Sequence, residues 1–217
     1  MTTTRHANSA LPDADAAAPA PVRPRTKPAE VRLDELMAAA ERLFLDKGVE
    51  ATTVSDITTL AGVAKGTFYH YFPSKHEMLA ALAGRYTQHF LASLATAVDL
   101  CMPGDWEGRL RAWVQANVAT YLRTWQLHDI VYTSHRRSIG IDSADNPDKN
   151  AILAQLGAIL AGGAAAGTWP LPQPRLAALM IYSAVHGVTD DAIAAQLQDS
   201  SAFAADVADA CLRMLGR

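Results

Sequence analysis

Between Thr53 and Phe72 the chain sets two short apolar-faced runs on either side of the tripeptide Ala61-Gly62-Val63. Neither run is long enough to persist as a helix alone, so each must be held by packing. Thr53 with Asp56 three residues on has capping-box spacing, Asp standing in the usual Glu place, and starts a helix whose inner face carries Ile57 and Leu60. Gly62 permits the tight turn. A second run, about 64–71, stops at Phe72-Pro73, because the residue before proline disfavours the α region. Two short helices joined by a three-residue turn containing glycine make a helix-turn-helix.

The flanks are helical too. From Ala29 to Lys47 the apolar residues Val31, Leu36, Ala40, Leu43 and Phe44 keep helical spacing, and Gly48 stands where a helix-ending glycine belongs. Ser74 and Glu77 form a second capping-box pattern. They open a long helix to about Leu100, with Met78, Leu82, Tyr86, Phe90 and Leu94 spaced by four. Met102-Pro103-Gly104 breaks it, and Asp105 can cap a helix from Trp106 to about Leu127. A shorter helix is expected over 128–138, another over 148–162, and two more over about 175–198 and 201–215. No strand pair or internal repeat is evident. The expected fold is all-α: a three-helix helix-turn-helix domain over 29–75 and a helical bundle over 76–217, about nine helices in all. An apolar fraction of 50% drawn largely from alanine, with only 7% aromatics, favours helix for the same reason. Residues 1–28, rich in Ala, Pro, Thr and Asp, read as a disordered arm. Its end carries Arg23, Arg25 and Lys27 without an acid between them. Either a solvated linker or a basic arm on DNA fits that composition.

The run ending at Phe72 suits DNA. Val63, Phe68 and Phe72 anchor it on the preceding helices, which leaves Lys65, Gly66, Thr67, Tyr69 and His70 outward. Gly66 costs a helix about 1 kcal/mol relative to Ala, and close backbone approach to a base pair or phosphate is a compensating use. Tyr69 and Tyr71 offer hydroxyl donors, and Lys75 sits beside the amide-rich start of the next helix; both suit phosphate. Net charge is −3, so any basic surface is local rather than general.

These residues carry a resemblance. Ala51-Thr-Thr-Val-Ser-Asp-Ile57, Ala61-Gly-Val-Ala-Lys-Gly-Thr-Phe-Tyr-His-Tyr-Phe72, Ser74-Lys75 and Leu79, with Ala39, Leu43, Phe44 and Gly48 upstream, resemble the TetR-family DNA-binding domain over roughly 30–90. Thr58 departs from the family's frequent Ala, and Ala64 from its frequent Ser or Thr cap; without that cap one helix-start amide is left for a phosphate. The resemblance implies that Lys65, Gly66 and Thr67 face base edges. It implies that Tyr69, His70, Tyr71 and Lys75 meet phosphates or the major groove, and that Thr53 and Ser55 lie near the backbone. For Tyr71 a half-buried ring closing the small domain is the competing reading, and for His70 a merely exposed side chain.

A symmetric dimer would read two half-sites of a palindromic operator. Leu179, Tyr182, Ser183, His186 and Ile193 share one stripe, and Phe203, Val207, Cys211 and Met214 another. The resemblance implies a homodimer interface on these last two helices; burial within one protomer is the alternative. In the middle of the chain Trp113, Asn117, Tyr121 and Trp125 recur every four residues, followed by His128, Tyr132 and His135. Such polar-tipped aromatic side chains, with Tyr86 and Phe90 as a second wall, suit a cavity for an aromatic or lipophilic small-molecule effector. Arg136 and Arg137 fit either a ligand carboxylate or plain solvation. The expectation is a repressor released from its operator by that effector; a regulator without an effector, or an activator, stays open.

Other classes find little support. Gly162-Gly163-Ala164-Ala165-Ala166-Gly167-Thr168 lacks the lysine of a phosphate loop and follows a helix rather than a strand. Neither H-E-x-x-H nor G-x-S-x-G occurs, so no enzyme is expected. Cys101 and Cys211 form no metal-ligand spacing; two free thiols in a reducing cytoplasm, or a disulfide, fit them. No cofactor or metal is expected. No uninterrupted apolar run suggests a membrane span or a secretory signal.

Overall fold

Gly48 adopts φ 81° and ψ 163°, and the regular part of the first helix stops there, as a glycine in that position requires. In the computed structural model this helix, α1, is Ala29–Ala51, with one irregular turn after the glycine. The Thr52 hydroxyl closes the end by donating to the Gly48 carbonyl at 2.7 Å. Then follow α2 (Val54–Ala61), α3 (Lys65–Tyr71), α4 (Lys75–Asp99), α5 (Trp106–Ile139), α6 (Pro147–Ala165), α7 (Pro174–Ala194) and α8 (Ser200–Met214). The structure describes Met1 and residues 28–139, 146–197 and 199–216, and the side chains of all of these except 133–139. The expected arm with Arg23, Arg25 and Lys27, and the side chains of His135, Arg136 and Arg137, lie outside the described residues.

The capping box at α2 is complete. The Asp56 amide donates to Thr53 Oγ1 at 3.1 Å, and the Thr53 amide donates to Asp56 Oδ2 at 2.9 Å. Lys47 Nζ donates to the same carboxylate oxygen at 2.7 Å, tying α1 to α2. Together these bonds, led by the one from Lys47, hold the Asp56 carboxyl down at about 2. Gly62 ends α2 in the left-handed conformation, φ 65°. The buried face of α2 holds Ile57 and Thr58 rather than Ile57 and Leu60. Leu60 lies at the edge of the stripe formed by 54, 57, 58 and 61 and is exposed; Val31, near the start of α1, is exposed as well. Ala64 makes no side-chain cap at α3. Ser74 accepts from the Glu77 amide at 3.2 Å, one half of the expected box.

Two expectations fail in the body. The helices expected over 106–127 and 128–138 are one, α5, because no glycine or proline interrupts the chain between Arg109 and Ile139. Among the described residues there are therefore eight helices, and no strand. The helix expected to end at 162 instead runs on as α6 to Ala165, with Gly162 and Gly163 inside it. They are seats for two tryptophans. A Cβ on Gly162 would lie 2.3 Å from the Trp106 ring, and one on Gly163 2.1 Å from that of Trp169. The Trp169 indole then donates to the Leu160 carbonyl at 2.8 Å.

Leu36, Ala40, Phe44, Ile57, Phe68 and Phe72 close the small N-terminal core, and Met78, Leu79 and Leu82 of α4 complete it. Further along α4, Tyr86, Phe90 and Leu94 turn the same buried row into the body. There α5 is the central helix, packed by α4, α6, α7 and α8. The α5–α8 contact carries an ion pair between Arg111 and Asp209. One helix therefore belongs to both cores, and Arg85 reinforces it, its guanidinium 3.5 Å from Asp34 and 3.6 Å from Glu41 on α1.

Candidate functional site

The first candidate surface is the outer side of α3. Phe68 is fully buried and Phe72 nearly so, and these two rings pin a seven-residue helix that could not persist alone. Lys65, Gly66, Tyr69 and His70 are exposed on the opposite side, and Thr67 is half-buried at its edge. Among the described residues nothing lies within 4 Å of a Cβ built on Gly66, so no packing there demands a glycine. Thr53 and Ser55 are exposed at the start of α2. The Thr53 oxygen accepts the cap bond, which leaves its hydroxyl hydrogen free for an acceptor outside the protein.

Two of the expected DNA-contacting residues are employed elsewhere. The Lys75 ammonium donates to the carbonyls of Val49 at 2.6 Å, Thr52 at 3.0 Å and Glu50 at 3.5 Å. An ammonium has three donors, and here all of them satisfy the end of α1, so Lys75 is an internal brace. Tyr71 is half-buried and its hydroxyl donates to the Ala29 carbonyl at 3.0 Å. It ties the end of α3 to the start of α1, which matches the ring-closing reading of that residue.

The second candidate is a cavity of about 890 Å³ in the body. Tyr86, Thr87 and Phe90 of α4 form one wall, and Asn117, Tyr121, Trp125, His128, Asp129 and Tyr132 of α5 another. Lys149 and Ile152 of α6 and Tyr182, Ser183, His186 and Asp190 of α7 close it. Its rings touch one another. Tyr121 lies 4.6 Å from His128 and 4.8 Å from His186 between ring centroids, and Tyr132 lies 4.8 Å from His128. The Tyr121 hydroxyl donates to Asp190 Oδ1 at 2.6 Å, and His186 Nδ1 lies 3.1 Å from the other oxygen of that carboxylate. Tyr132 donates to Asp148 Oδ2 at 3.2 Å and also meets the Thr87 hydroxyl, while Tyr86 meets Thr124 at 3.1 Å. Burial, reinforced by neighbouring carboxylates, raises the pKa of Tyr86, Tyr121 and Tyr132, so all three stay protonated. Burial followed by the nearby His186 lowers that of His128, which favours the neutral imidazole.

Of the expected pocket residues, Trp113 alone is absent from these walls. It is fully buried, and its indole donates to Gln155 Oε1 at 3.0 Å. A row spaced by four drifts by about 40° per step around an α-helix. Trp113 and Trp125, three steps apart, therefore cannot share one direction. Sequence reasoning missed Asp190, Asp129, Thr87 and Lys149. Asp190 was within reach, since it follows His186 by four on the same helical stripe.

The expected dimer stripe divides. Tyr182, Ser183 and His186 line the cavity, so their place on α7 is toward α5 and α6. Cys211 is buried inside the protomer, where desolvation pushes its thiol up to about 11; it and the half-exposed Cys101 are both free. Phe203 and Val207 are partly buried against the same core. Leu179 and Met214 are exposed, together with Leu176, Met180 and Val188 of α7.

Residues 36–82 match the family model described as bacterial regulatory proteins, tetR family. Over 65 residues the chain is 43% identical to the HTH-type transcriptional repressor KstR2 of Mycolicibacterium smegmatis, a match over 26% of this chain and 32% of that protein. Over 113 residues it is 31% identical to the HTH-type transcriptional regulator TtgR of Pseudomonas putida, 51% of this chain and 54% of that one. The chain thus spans about a third to a half of the length of these curated relatives. A solved structure of the fatty acid degradation regulator FadR of Bacillus halodurans is similar over 83% of this chain and 94% of its own, with a TM-score of 0.69 at 22% identity. That likeness concerns the fold.

Proposed function

We propose that this chain is a member of the tetR family of bacterial regulatory proteins, whose model its residues 36–82 match, and that it is a sequence-specific DNA-binding transcriptional regulator whose helical body senses a small molecule. The observation that carries this reading is the path of α4. It begins at the helix-turn-helix, where Met78 and Leu79 are core residues, and its next turns present Tyr86, Thr87 and Phe90 to the cavity. A ligand against those side chains bears on the element that orients α3. It changes DNA affinity only by binding one arrangement of α4 better than the other.

In this reading Lys65, Gly66 and Thr67 approach base edges, while Tyr69, His70, Thr53 and Ser55 meet the DNA backbone. Two copies read a palindrome through a dimer. The exposed apolar side chains Leu176, Leu179, Met180 and Val188 recur at helical spacing along α7 and support that face as the interface, with Met214 beside it. Repression relieved by the effector is the proposed sign of regulation; one relative, KstR2, is named a repressor, and another, FasR, an activator.

The test is an unbiased selection of double-stranded DNA with the purified chain. A palindromic motif enriched by a protein of dimer mass in light scattering is the expected result. No enrichment overturns the DNA-binding reading, and a single-chain mass at micromolar concentration overturns the dimer.

A further inference from the structure

We infer that the cavity selects an aromatic or lipophilic organic cation, an amine or amidine carried on a flat apolar body, over neutral or anionic molecules of the same shape. The inference rests on the reading of this cavity as an effector site.

Two observations carry it. The first is that the cavity is built to be filled. Asn117 lines it with a polar amide side chain and is 6% exposed. A ligand seated in the cavity comes within reach of that amide, which can both donate and accept. The volume of about 890 Å³ falls within the range of drug-sized sites.

The second is the balance of charge and of hydrogen-bonding capacity on the walls. Two carboxylates, Asp129 and Asp190, face the cavity against one described lysine, Lys149, whose ammonium lies 5.7 Å from the centroid of the Tyr182 ring. Asp148 stands behind Tyr132 and adds to the same sign. His128 is held neutral by burial and by His186. The tyrosine hydroxyl hydrogens are turned outward to wall residues, Tyr121 to Asp190 and Tyr132 to Asp148. Apart from the Lys149 ammonium, the Asn117 amide and the Trp125 indole, what the walls offer is mainly lone pairs and ring faces. Ring faces attract cations through their quadrupole, most strongly where water is excluded. An anion here would meet carboxylates and phenolic oxygens with few donors to receive it.

The experiment is calorimetric titration of the full chain, without DNA, with three naphthalenes of one shape at neutral pH. These are 2-naphthylmethylamine, protonated; 2-naphthylmethanol, neutral; and 2-naphthoate, anionic. The amine is expected to bind about tenfold more tightly than the alcohol, with the carboxylate weakest. Asp190→Asn is expected to bring the amine down to the level of the alcohol. Asp190 holds Tyr121 and His186, so its replacement risks the fold. Asp129→Asn, at a more exposed position, is the second variant and is expected to lower the amine preference by a smaller factor. Three equal affinities, a preference for the carboxylate, or no binding by any of the three overturns the inference. The same preparation is put through the DNA selection. Enrichment of a motif without an amine preference removes the ligand class alone. An amine preference without enrichment removes the regulator and leaves a cation-binding protein.

Discussion

Lys75 Nζ lies 2.6 Å from the Val49 carbonyl oxygen, so the first residue of α4 closes the last turn of α1. From sequence this lysine reads as a phosphate ligand. In the folded chain it supplies the cap that Gly48 leaves missing when it breaks the helix. Lys75→Ala is expected to destabilise the chain by about 1–3 kcal/mol, because it strips donors from half-buried carbonyls. The midpoint of urea unfolding checks this. The slope of operator affinity against salt, measured on the folded fraction, is expected to stay unchanged.

Gly66 and Lys65 separate stability from recognition. Gly66→Ala is expected to raise stability by up to about 1 kcal/mol through helix propensity, since no described residue obstructs the added methyl. If the backbone approaches DNA there, the same change lowers operator affinity. Lys65→Ala is expected to cost about 1–3 kcal/mol of operator binding and to relax base choice at one position, if the lysine pairs with a guanine. Gel shifts against a set of single-base operator variants read both effects.

Asp56 links stability to acid. Its folded value, about 2, lies below its usual 3.8, with the Lys47 bond as the largest cause. A group depressed on folding contributes stability above its unfolded pKa and loses it as pH falls through the folded one. That contribution is full above 3.8 and fades toward about 2. Asp56→Asn is expected to have a lower melting temperature near neutral pH. The gap to the parent chain is expected to narrow over that acid window, as thermal unfolding at stepped pH will show.

Gly163→Ala tests the seat of Trp169. The added carbon would fall 2.1 Å from a ring atom, and the ring is fixed by its bond to Leu160. Overpacking of this kind costs about 1–3 kcal/mol. A lowered urea midpoint with shifted tryptophan emission is the expected outcome. Gly157→Ala on the same helix, where the methyl meets nothing within 4 Å, is expected to show neither effect.

Local chemistry made much of this protein legible in the chain itself. The capping pair Thr53 and Asp56, the turn at Gly62, the stop at Phe72-Pro73 and the four-residue row from Met78 to Leu94 are decided by neighbours within a few residues. They appear in the fold as read. So do most of the rings on α5, because helical spacing puts them on one side wherever the helix packs. Tertiary structure decided what neighbours in sequence cannot. It turned Trp113 into the core and Tyr182 and His186 into the cavity, because a stripe on a helix does not say which partner will cover it. It spent Lys75 on carbonyls more than twenty residues upstream. It gave Gly162 and Gly163 their purpose through two tryptophans, one more than fifty residues before them and one a few residues after. Asp190 became part of a charged, ring-lined cavity only when α7 was laid against α5. Such long-range placement depends on how whole helices pack, and no short window of the sequence contains it.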